Sequence, residues 1–481
     1  MRKLRIKGLI VLMVGLMGIW VNVWGTEWYI ATVDTTMYSG MSGISIALDS
    51  LGNPHIAYCR PYGNGLIYAS LNPDSTWSYE VVFDSIKKEE KGRGSKPSLV
   101  LDSKGYPHIT FWELTLGYVW KDSSGWHYSR PDSVNWVECS ALALDKDDSS
   151  HIAYVVNISD TVGVIVYRKW NGVKWRYEIV DTAGKSGMGA ISIVIDSANT
   201  PCISFGSWYT TSGYDNYPGI EYAVRDTNGV WHIEIVDSSD TSFFASAGTY
   251  LAINSLNQPC ISYFSAHRHT GIPQLRYAQK TDTGWIVEVV DTTWSGYGNA
   301  VCIDSNDNPH IVYRKGEDPE LVAYAGRKDN KWWVDVVDTV RPDTITPIGT
   351  YCGIAIDTTG YVHLSYYSEI HNFTVKCAKG NPEYGVESDM ERQLDAGLNV
   401  YSTIGQKSIR IEYILNKECD VNLSIYDIAG RKIVELTRGK KVVGKHIDYW
   451  EIGNTNSNGV YFCRLYLENK GILSKKFIIM R

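Results

Sequence analysis

A sevenfold internal repeat constrains this chain more than any other feature. Residues 26–381 carry one pattern seven times: a short apolar strand, an Asp turn, a second strand of the Pro-His-Ile-x-Tyr type, a Tyr-Ala strand, and a Trp strand ending in Val-Asp. The turn anchors are Asp49, Asp102, Asp145, Asp196, Asn254, Asp304 and Asp357, spaced 53, 43, 51, 58, 50 and 53 residues apart. The second strands read PHIAY from Pro54, PHITF from Pro107, SHIAY from Ser150, PCISF from Pro201, PCISY from Pro259, PHIVY from Pro309 and VHLSY from Val362. Four short strands per unit at this period predict a β-propeller, because one unit cannot bury both of its faces alone.

The Trp strand opens at Trp77, Trp126, Trp175, Trp231, Trp285 and Trp332, so seven anchors have only six such strands. The missing one lies at the other end, from Trp28 to Asp34. That strand is expected to complete the last unit and remove the edges that invite aggregation. The fold class predicted is all-β: a seven-bladed β-propeller closed by the N-terminal strand, followed by a small immunoglobulin-like β-sandwich. The aromatic supply suits this, with 33 Tyr and 17 Trp against 9 Phe. Tyr and Trp are the aromatics that tolerate one wet end.

Residues 1–25 read as a signal peptide: Arg2, Lys3, Arg5 and Lys7, then an apolar run from Gly8 to Val21, then a cut before Thr26. The run is short of the ~20 residues a spanning helix needs. The expectation is therefore no membrane span after signal removal, and a protein secreted or held at the outer cell surface. Residues 26–381 are the propeller, 382–397 an acid-rich exposed linker, and 398–481 a C-terminal domain. The propeller region, extended to residue 386, carries 27 basic and 41 acidic residues, which argues against nucleic acid as a partner. The nine cysteines contain no CxxC and read mostly as buried thiols. Cys419 and Cys463 are the one pair left open to oxidation in an exported chain.

Turns such as Asp122-Ser-Ser-Gly-Trp126, Asp226-Thr-Asn-Gly-Val-Trp231 and Asp282-Thr-Gly-Trp285 fall between the third and fourth strands. In this the repeat loosely resembles propellers of the BNR/Asp-box type. The resemblance implies a fold and no activity. The C-terminus carries Ile411–Leu415, Val421–Asp427, Gly430-Arg431, Gly444, His446, Trp450, Asn458–Phe462, Lys475-Lys476 and Arg481. These residues resemble the type A C-terminal sorting domain of the type IX secretion system, which has a FlgD-like immunoglobulin fold. Tyr401–Gly405 stands where that family often has Pro-Asn-Pro. The resemblance implies that residues 398–481 engage the type IX machinery for passage across the outer membrane.

In a propeller, the loops after the second strand and between blades share one face, and here those loops vary in length. The candidate ligand-binding residues are Arg60, Tyr62, Trp112, Glu113, Trp208, Tyr209, His267, Arg268, His269, Trp294, Tyr297, Arg314, Glu369 and His371. Tyr and Trp suit sugar stacking or protein contact. Arg60, Arg268 and Arg314 are a candidate cluster for a carboxylate. The repeated His55, His108, His151, His310 and His363 sit on different blades, on the order of 10 Å apart at ~4.8 Å per strand, too far for one metal. They are read as structural, and no metal or cofactor is expected. Asp304–Asn308 is read as a turn and not a calcium loop.

No P-loop, zinc motif or Gly-x-Ser-x-Gly occurs. The expected function is a monomeric, exported or cell-surface binding propeller with a glycan or protein ligand. The alternatives are a carbohydrate-active enzyme, sialidase-like hydrolase or polysaccharide lyase, and a structural surface-layer component.

Overall fold

The structure is a computed structural model. It describes residues 28–381 and 396–479 except 37–42, 61–64, 84–94, 114, 134, 136, 159–162, 183–190, 208–218, 239–242, 246–247, 268–271, 293, 317–319, 342–351, 369–373, 402–407, 416–417, 428–430, 454–458 and 468–470. The expected signal peptide, residues 1–25, and all but the last two residues of the expected linker lie outside the described residues. The described chain is all strand, turn and bend, without a helix, and therefore without a helix long and apolar enough to cross a membrane. It divides into two compact units, Met1–Tyr384 and Gly385–Arg481.

The first unit is a propeller-like series of four-stranded antiparallel sheets. Sheet one runs Ile44–Leu48, Pro54–Arg60, Gly65–Leu71 and Trp77–Phe83. Sheet two runs Ser95–Leu101, Pro107–Glu113, Thr115–Asp122 and Gly125–Asp132; sheet three Val137–Leu144, Ser150–Asn157, Gly163–Trp170 and Trp175–Asp181. Sheet four runs Ile191–Ile195, Pro201–Ser207, Gly219–Arg225 and Trp231–Asp237. In sheet five, Phe243–Ala245 and Tyr250–Ile253 both pair with Pro259–His267, followed by Pro273–Thr281 and Gly284–Asp291. Sheet six runs Ser295–Ile303, Pro309–Lys315, Glu320–Lys328 and Lys331–Arg341. Sheet seven runs Gly353–Ile356, Val362–Ser368 and Thr374–Gly380, and its fourth strand is Trp28–Asp34. Trp28 lies opposite Gly380 and Ala31 opposite Cys377.

One network recurs inside the sheets. The Asp of each turn takes main-chain N–H groups two and four residues on, as Asp49 does from Leu51 at 2.9 Å and Asn53 at 2.8 Å. The His of the second strand then joins that Asp to the Tyr of the third. His151 Nε2 lies 3.2 Å from Asp145 Oδ2, and Nδ1 lies 2.7 Å from the Tyr167 hydroxyl. A carboxylate only accepts, so Nε2 carries the proton and Nδ1 accepts from the Tyr O–H. His108 and His310 meet Tyr118 and Tyr324 at 2.6 and 2.5 Å in the same way. In sheets four and five Cys202 and Cys260 replace the His and contact Tyr222 and Tyr277. In sheet seven Cys377 replaces the Tyr, and His363 Nδ1 is left without a partner. The histidines thus hold turn to strand, as the spacing argument requires. Asp304 likewise caps its turn, accepting from Asn306 and Asn308.

A second network joins each sheet to the next. The Trp of one fourth strand meets the third-strand Tyr of the preceding sheet edge-on, with ring centroids 5.2–5.5 Å apart from Trp126 on Tyr68 through Trp332 on Tyr277. Trp28 stands in the same relation to Tyr324 at 5.3 Å. Four of these indoles also donate to a glutamate of the preceding sheet: Trp126 to Glu80, Trp231 to Glu178, Trp285 to Glu234 and Trp332 to Glu288. Trp175 has no acceptor because the matching position holds Ser129. Each innermost strand packs beside the next, and Gly353–Ile356 packs back against Ile44–Leu48.

The second unit has two sheets around one core. One is Ala396–Tyr401, Ser408–Leu415 and Gly444–Glu451; the other is Lys432–Lys441, Cys419–Asp427, Gly459–Leu467 and Gly471–Ile479. Register settles the cysteine question. Cys463 lies opposite Ile425, six residues along the strand from Cys419. At ~3.4 Å per residue the two are about 20 Å apart, far beyond disulfide reach.

Candidate functional site

Arg60, Trp112, Glu113 and Arg314 lie at the carboxyl ends of the second strands. Each second strand runs past its Tyr or Phe by at least two residues, so Arg60, Trp112, Glu113 and Arg314 belong to strands and not to loops. Arg60 and Arg314 are engaged by neighbouring sheets, and Glu113 by the fourth strand of its own sheet.

The largest such engagement is an Asp–Tyr–cation clamp between sheets. The aspartate that ends one fourth strand, preceded by Val in all five cases but Asp132, accepts the hydroxyl of the next sheet's second-strand Tyr. It also accepts from an Arg or Lys. Asp34 takes Tyr58 at 2.7 Å and Arg60 Nη2 at 2.6 Å. Asp132 takes Tyr154 at 2.9 Å and Arg168 at 3.3 Å. Asp237 takes Tyr263 at 2.6 Å and Arg276 at 2.9 Å. Asp291 takes Tyr313 at 2.7 Å and Lys315 at 2.5 Å. Asp338 takes Tyr366 at 3.0 Å and Lys376 at 2.7 Å. These bonds are charge-assisted and largely desolvated. Burial raises the Asp34 carboxyl, but bonds from Thr36, Tyr58 and Arg60 bring it below its ordinary value. Replacing Tyr263 by Phe should therefore cost about 1.5–3 kcal/mol, the worth of a hydrogen bond to a charged group. Chemical denaturation of the variant checks this, and a loss under a few tenths would refute the clamp.

Sheets two and four depart from the rule. Phe111 and Phe205 replace the Tyr. Glu113 stands at the position of Arg60, and Glu221 lies opposite Phe205, where Arg276 and Lys376 lie opposite Tyr263 and Tyr366. Asp181, the aspartate that precedes sheet four, has its carboxyl raised by burial, with one main-chain bond from Thr182 in opposition. Glu113 is 1% exposed. It accepts from Arg130 Nε at 2.6 Å and from the Tyr128 hydroxyl, while its Oε2 has no partner.

The other expected site residues fall as follows. Arg314 is 2% exposed, donates to the Tyr367 carbonyl at 2.7 Å and lies over the Tyr367 ring at 5.0 Å. Trp294 is half-buried in the left-handed region at φ 43°, where a bulky residue is rare, and its carbonyl accepts from Gly316. Tyr297 is exposed and meets Phe264 at 4.9 Å between ring centroids. Trp112 lies opposite Ser95 in the ladder. His267 pairs with Phe243 along the backbone. Tyr62, Trp208, Tyr209, Arg268, His269, Glu369 and His371 lie outside the described residues. Of the proposed arginine cluster, Arg60 and Arg314 are thus each held by a different sheet junction. Among the described residues no group of three His, Cys, Asp or Glu side chains is placed to hold a metal ion.

The first strands of the seven sheets line a cavity of about 200 Å³ together with flanking residues, among them Ile44, Lys96, Ser140, Ser192, Tyr250 and Cys352.

No family model matches the chain, and no curated protein matches it. Similar solved structures include a protein of unknown function from Dyadobacter fermentans, at 12% identity over 60% of this chain and 94% of that one, TM-score 0.42. The Aleuria aurantia lectin is 13% identical over 64% of this chain and 99% of its own, TM-score 0.43. The NanB sialidase of Streptococcus pneumoniae is 11% identical over 70% and 68%, TM-score 0.37. Likenesses this remote assign neither a family nor an activity.

Proposed function

We propose that residues 28–380 form a seven-bladed β-propeller closed by the N-terminal strand, and that it is an exported recognition module for a glycan or protein. The observation that carries this is the commitment of the described charged candidates to the fold. A general acid or a carboxylate clamp must be open to substrate. Glu113 is buried under Arg130 and Tyr128, Arg60 is spent on Asp34, and Arg314 is sealed between sheets six and seven. What the described part of this face offers is aromatic, in Tyr297 and Trp294. Such surfaces bind sugars and protein anchors without chemistry.

The test incubates the full chain with acidic and neutral polysaccharides, and follows bound protein and new chain ends in the same tubes. Binding without new ends, weakened about tenfold by Tyr297→Ala, supports recognition; tenfold is ~1.4 kcal/mol, the range of one aromatic contact. New ends with any polymer would replace it by the hydrolase or lyase reading. Neither result would move the choice to a protein ligand or a surface-layer scaffold.

Residues 398–481 are proposed as an immunoglobulin-like sorting domain that addresses the chain to the type IX machinery. A chain ending before residue 398 should then stay in the periplasm of a type IX host. Its normal appearance outside the cell would defeat the proposal.

A further inference from the structure

The junction of sheets two and three breaks a pattern that four other junctions keep. In those four, the residue opposite the fourth-strand Trp in the ladder is a cation: Lys121, Arg225, Lys280 or Arg327. Each cation pairs with the glutamate that also accepts the indole N–H. Lys121 meets Glu80 and Arg225 meets Glu178 at 2.7 Å, Lys280 meets Glu234, and Arg327 meets Glu288 at 3.2 Å. In sheet three the residue opposite Trp175 is Trp170, and the glutamate position of sheet two holds Ser129. Both charges have gone together, and the buried Trp175 Nε1–H has no acceptor. A buried donor left unmade is costly, so it marks a place where a ligand that supplies the acceptor is favoured. Gly380 and Leu71 lie opposite Trp28 and Trp77, so no other junction carries a second tryptophan at this position.

Aromatic rings have taken the place of the ion pair. Trp170 meets Trp175 with ring centroids 5.4 Å apart, and Trp175 meets Tyr118 of sheet two edge-on at 5.4 Å. On the facing wall Trp120 stacks on Tyr118 at 5.2 Å and on His127 at 5.1 Å, with 20° between planes in both pairs. Trp120 and Trp170 thus flank the Tyr118–Trp175 contact from opposite walls of one groove. Both are half-buried, as are Ser129 and Trp175, so part of each side chain stays open to solvent. The charges nearby are already paired: His127 with Asp122 at 2.9 Å, and Arg168 with Asp132 at 3.3 Å. The main chain of both walls is spent in the ladders, Trp170 opposite Trp175 and Trp120 opposite His127. A peptide strand would therefore find no main-chain partner on these walls. A ligand meets indole faces, one N–H and the Ser129 hydroxyl.

We propose that the groove between sheets two and three binds a neutral sugar. Its ring lies against Trp120 and Trp170, and one of its oxygens accepts from Trp175 Nε1–H where the other junctions place a glutamate. A pyranose carries C–H groups on its face and oxygens at its edge, which matches indole faces beside a single donor. A uronic acid would bring a charge to the one junction of this set that has lost its cation, and so binds less well. The groove lies between the outer strands and shares no residue with the loop-face candidates. It is therefore independent of what the loop face binds.

The experiment uses the full chain with isotope-labelled tryptophan. The Trp175 indole N–H resonance is assigned by its absence from Trp175→Phe. It is then followed by NMR against glucose, galactose, mannose and xylose, with glucuronate and a tetraproline peptide for comparison. At least one neutral sugar should move the resonance saturably. Tyr297→Ala should leave that shift unchanged, which separates this groove from the loop face. Trp170→Ala should weaken half-saturation at least tenfold, the range of one aromatic contact. Ser129→Glu combined with Trp170→Lys rebuilds the ion pair of the other junctions. That variant should melt no lower than the parent, because it repeats an arrangement the fold already uses, and it should show no response to sugar. Trp170→Ala reads the same loss if the rebuilt pair fails to fold. The proposal is overturned if no neutral sugar moves the resonance, if glucuronate or the peptide matches the best of them, or if either Trp170 variant keeps the parent's response.

Discussion

A chain lacking Trp28–Asp34 should melt about 10 °C or more below the intact protein. Three losses combine. The third strand of sheet seven, Thr374–Gly380, loses its whole outer ladder and becomes an open edge. Tyr324 loses the Trp28 indole, which fits because Gly380 has no side chain; a Cβ there would lie 2.7 Å from the ring. The clamp at the junction of sheets seven and one loses Asp34, leaving Arg60 and the buried Tyr58 hydroxyl without their acceptor. Removing one partner of a buried ionic group alone costs about 3–5 kcal/mol. At a few degrees per kcal/mol or somewhat less for a domain this large, the combined loss reaches the stated shift. Differential scanning calorimetry decides it. An unchanged melting curve would mean that the N-terminal strand decorates the last sheet without closing anything. Asp34→Asn isolates the clamp and should account for only part of the loss.

Acid should destabilise the protein steeply from about pH 6.5 downward. The cause is the row of second-strand histidines. Burial lowers the ring of His151 to about 4, against Asp145, which pulls it up. His108 and His363 are lowered for the same first reason. The unfolded chain takes up these protons near pH 6.5, and the native His151 refuses its own until near pH 4. In that window the unfolded state binds more protons, so stability falls as pH falls and is complete above 6.5. His151 alone is worth about 3 kcal/mol across the window. Below it a second loss begins. Burial raises Asp145, Asp304 and Asp357, but hydrogen bonds, among them those from the paired histidines, hold all three below the ordinary carboxylate range. Their contribution is present above pH 3.8 and is lost as they protonate. Urea midpoints between pH 8 and 4 give the measurement. A flat profile from pH 7 to 5 would show that the histidines are not buried neutral. His151→Gln should flatten the upper part of the curve and lower the plateau.

The contrast between sheets shows where sequence reasoning stopped. Pro-His-Ile-x-Tyr and Val-Asp were legible as markers of period, and period alone located every second strand. That the Tyr of one motif reaches the Asp of the previous one is a statement about two segments 22–28 residues apart. Nothing in either segment announces its partner. The signal was nonetheless present: where Phe111 and Phe205 replace the Tyr, an acid replaces a cation in the same sheet, at Glu113 and Glu221. The pattern ends the second strand at its aromatic, and so assigns Arg60, Glu113 and Arg314 to loops open to a ligand. The sheet continues past that residue, so Arg60 and Arg314 engage neighbouring sheets and Glu113 engages Tyr128 and Arg130 of its own sheet.

What the sequence determined by itself is everything that repeats: an all-β chain, sheets built from four short strands, Asp turns, and a tryptophan strand at the N-terminus that matches a vacancy at the far end. Repetition makes these readable because each unit meets the same neighbours, so the same residue types recur at the same offsets. What only the tertiary structure decided is what does not repeat. The pairing of Trp28 with Gly380, the engagement of the arginines and the separation of Cys419 from Cys463 all depend on distances between segments remote in the chain. Side-chain types set what a contact is worth; the packing of the sheets on one another sets which contacts exist.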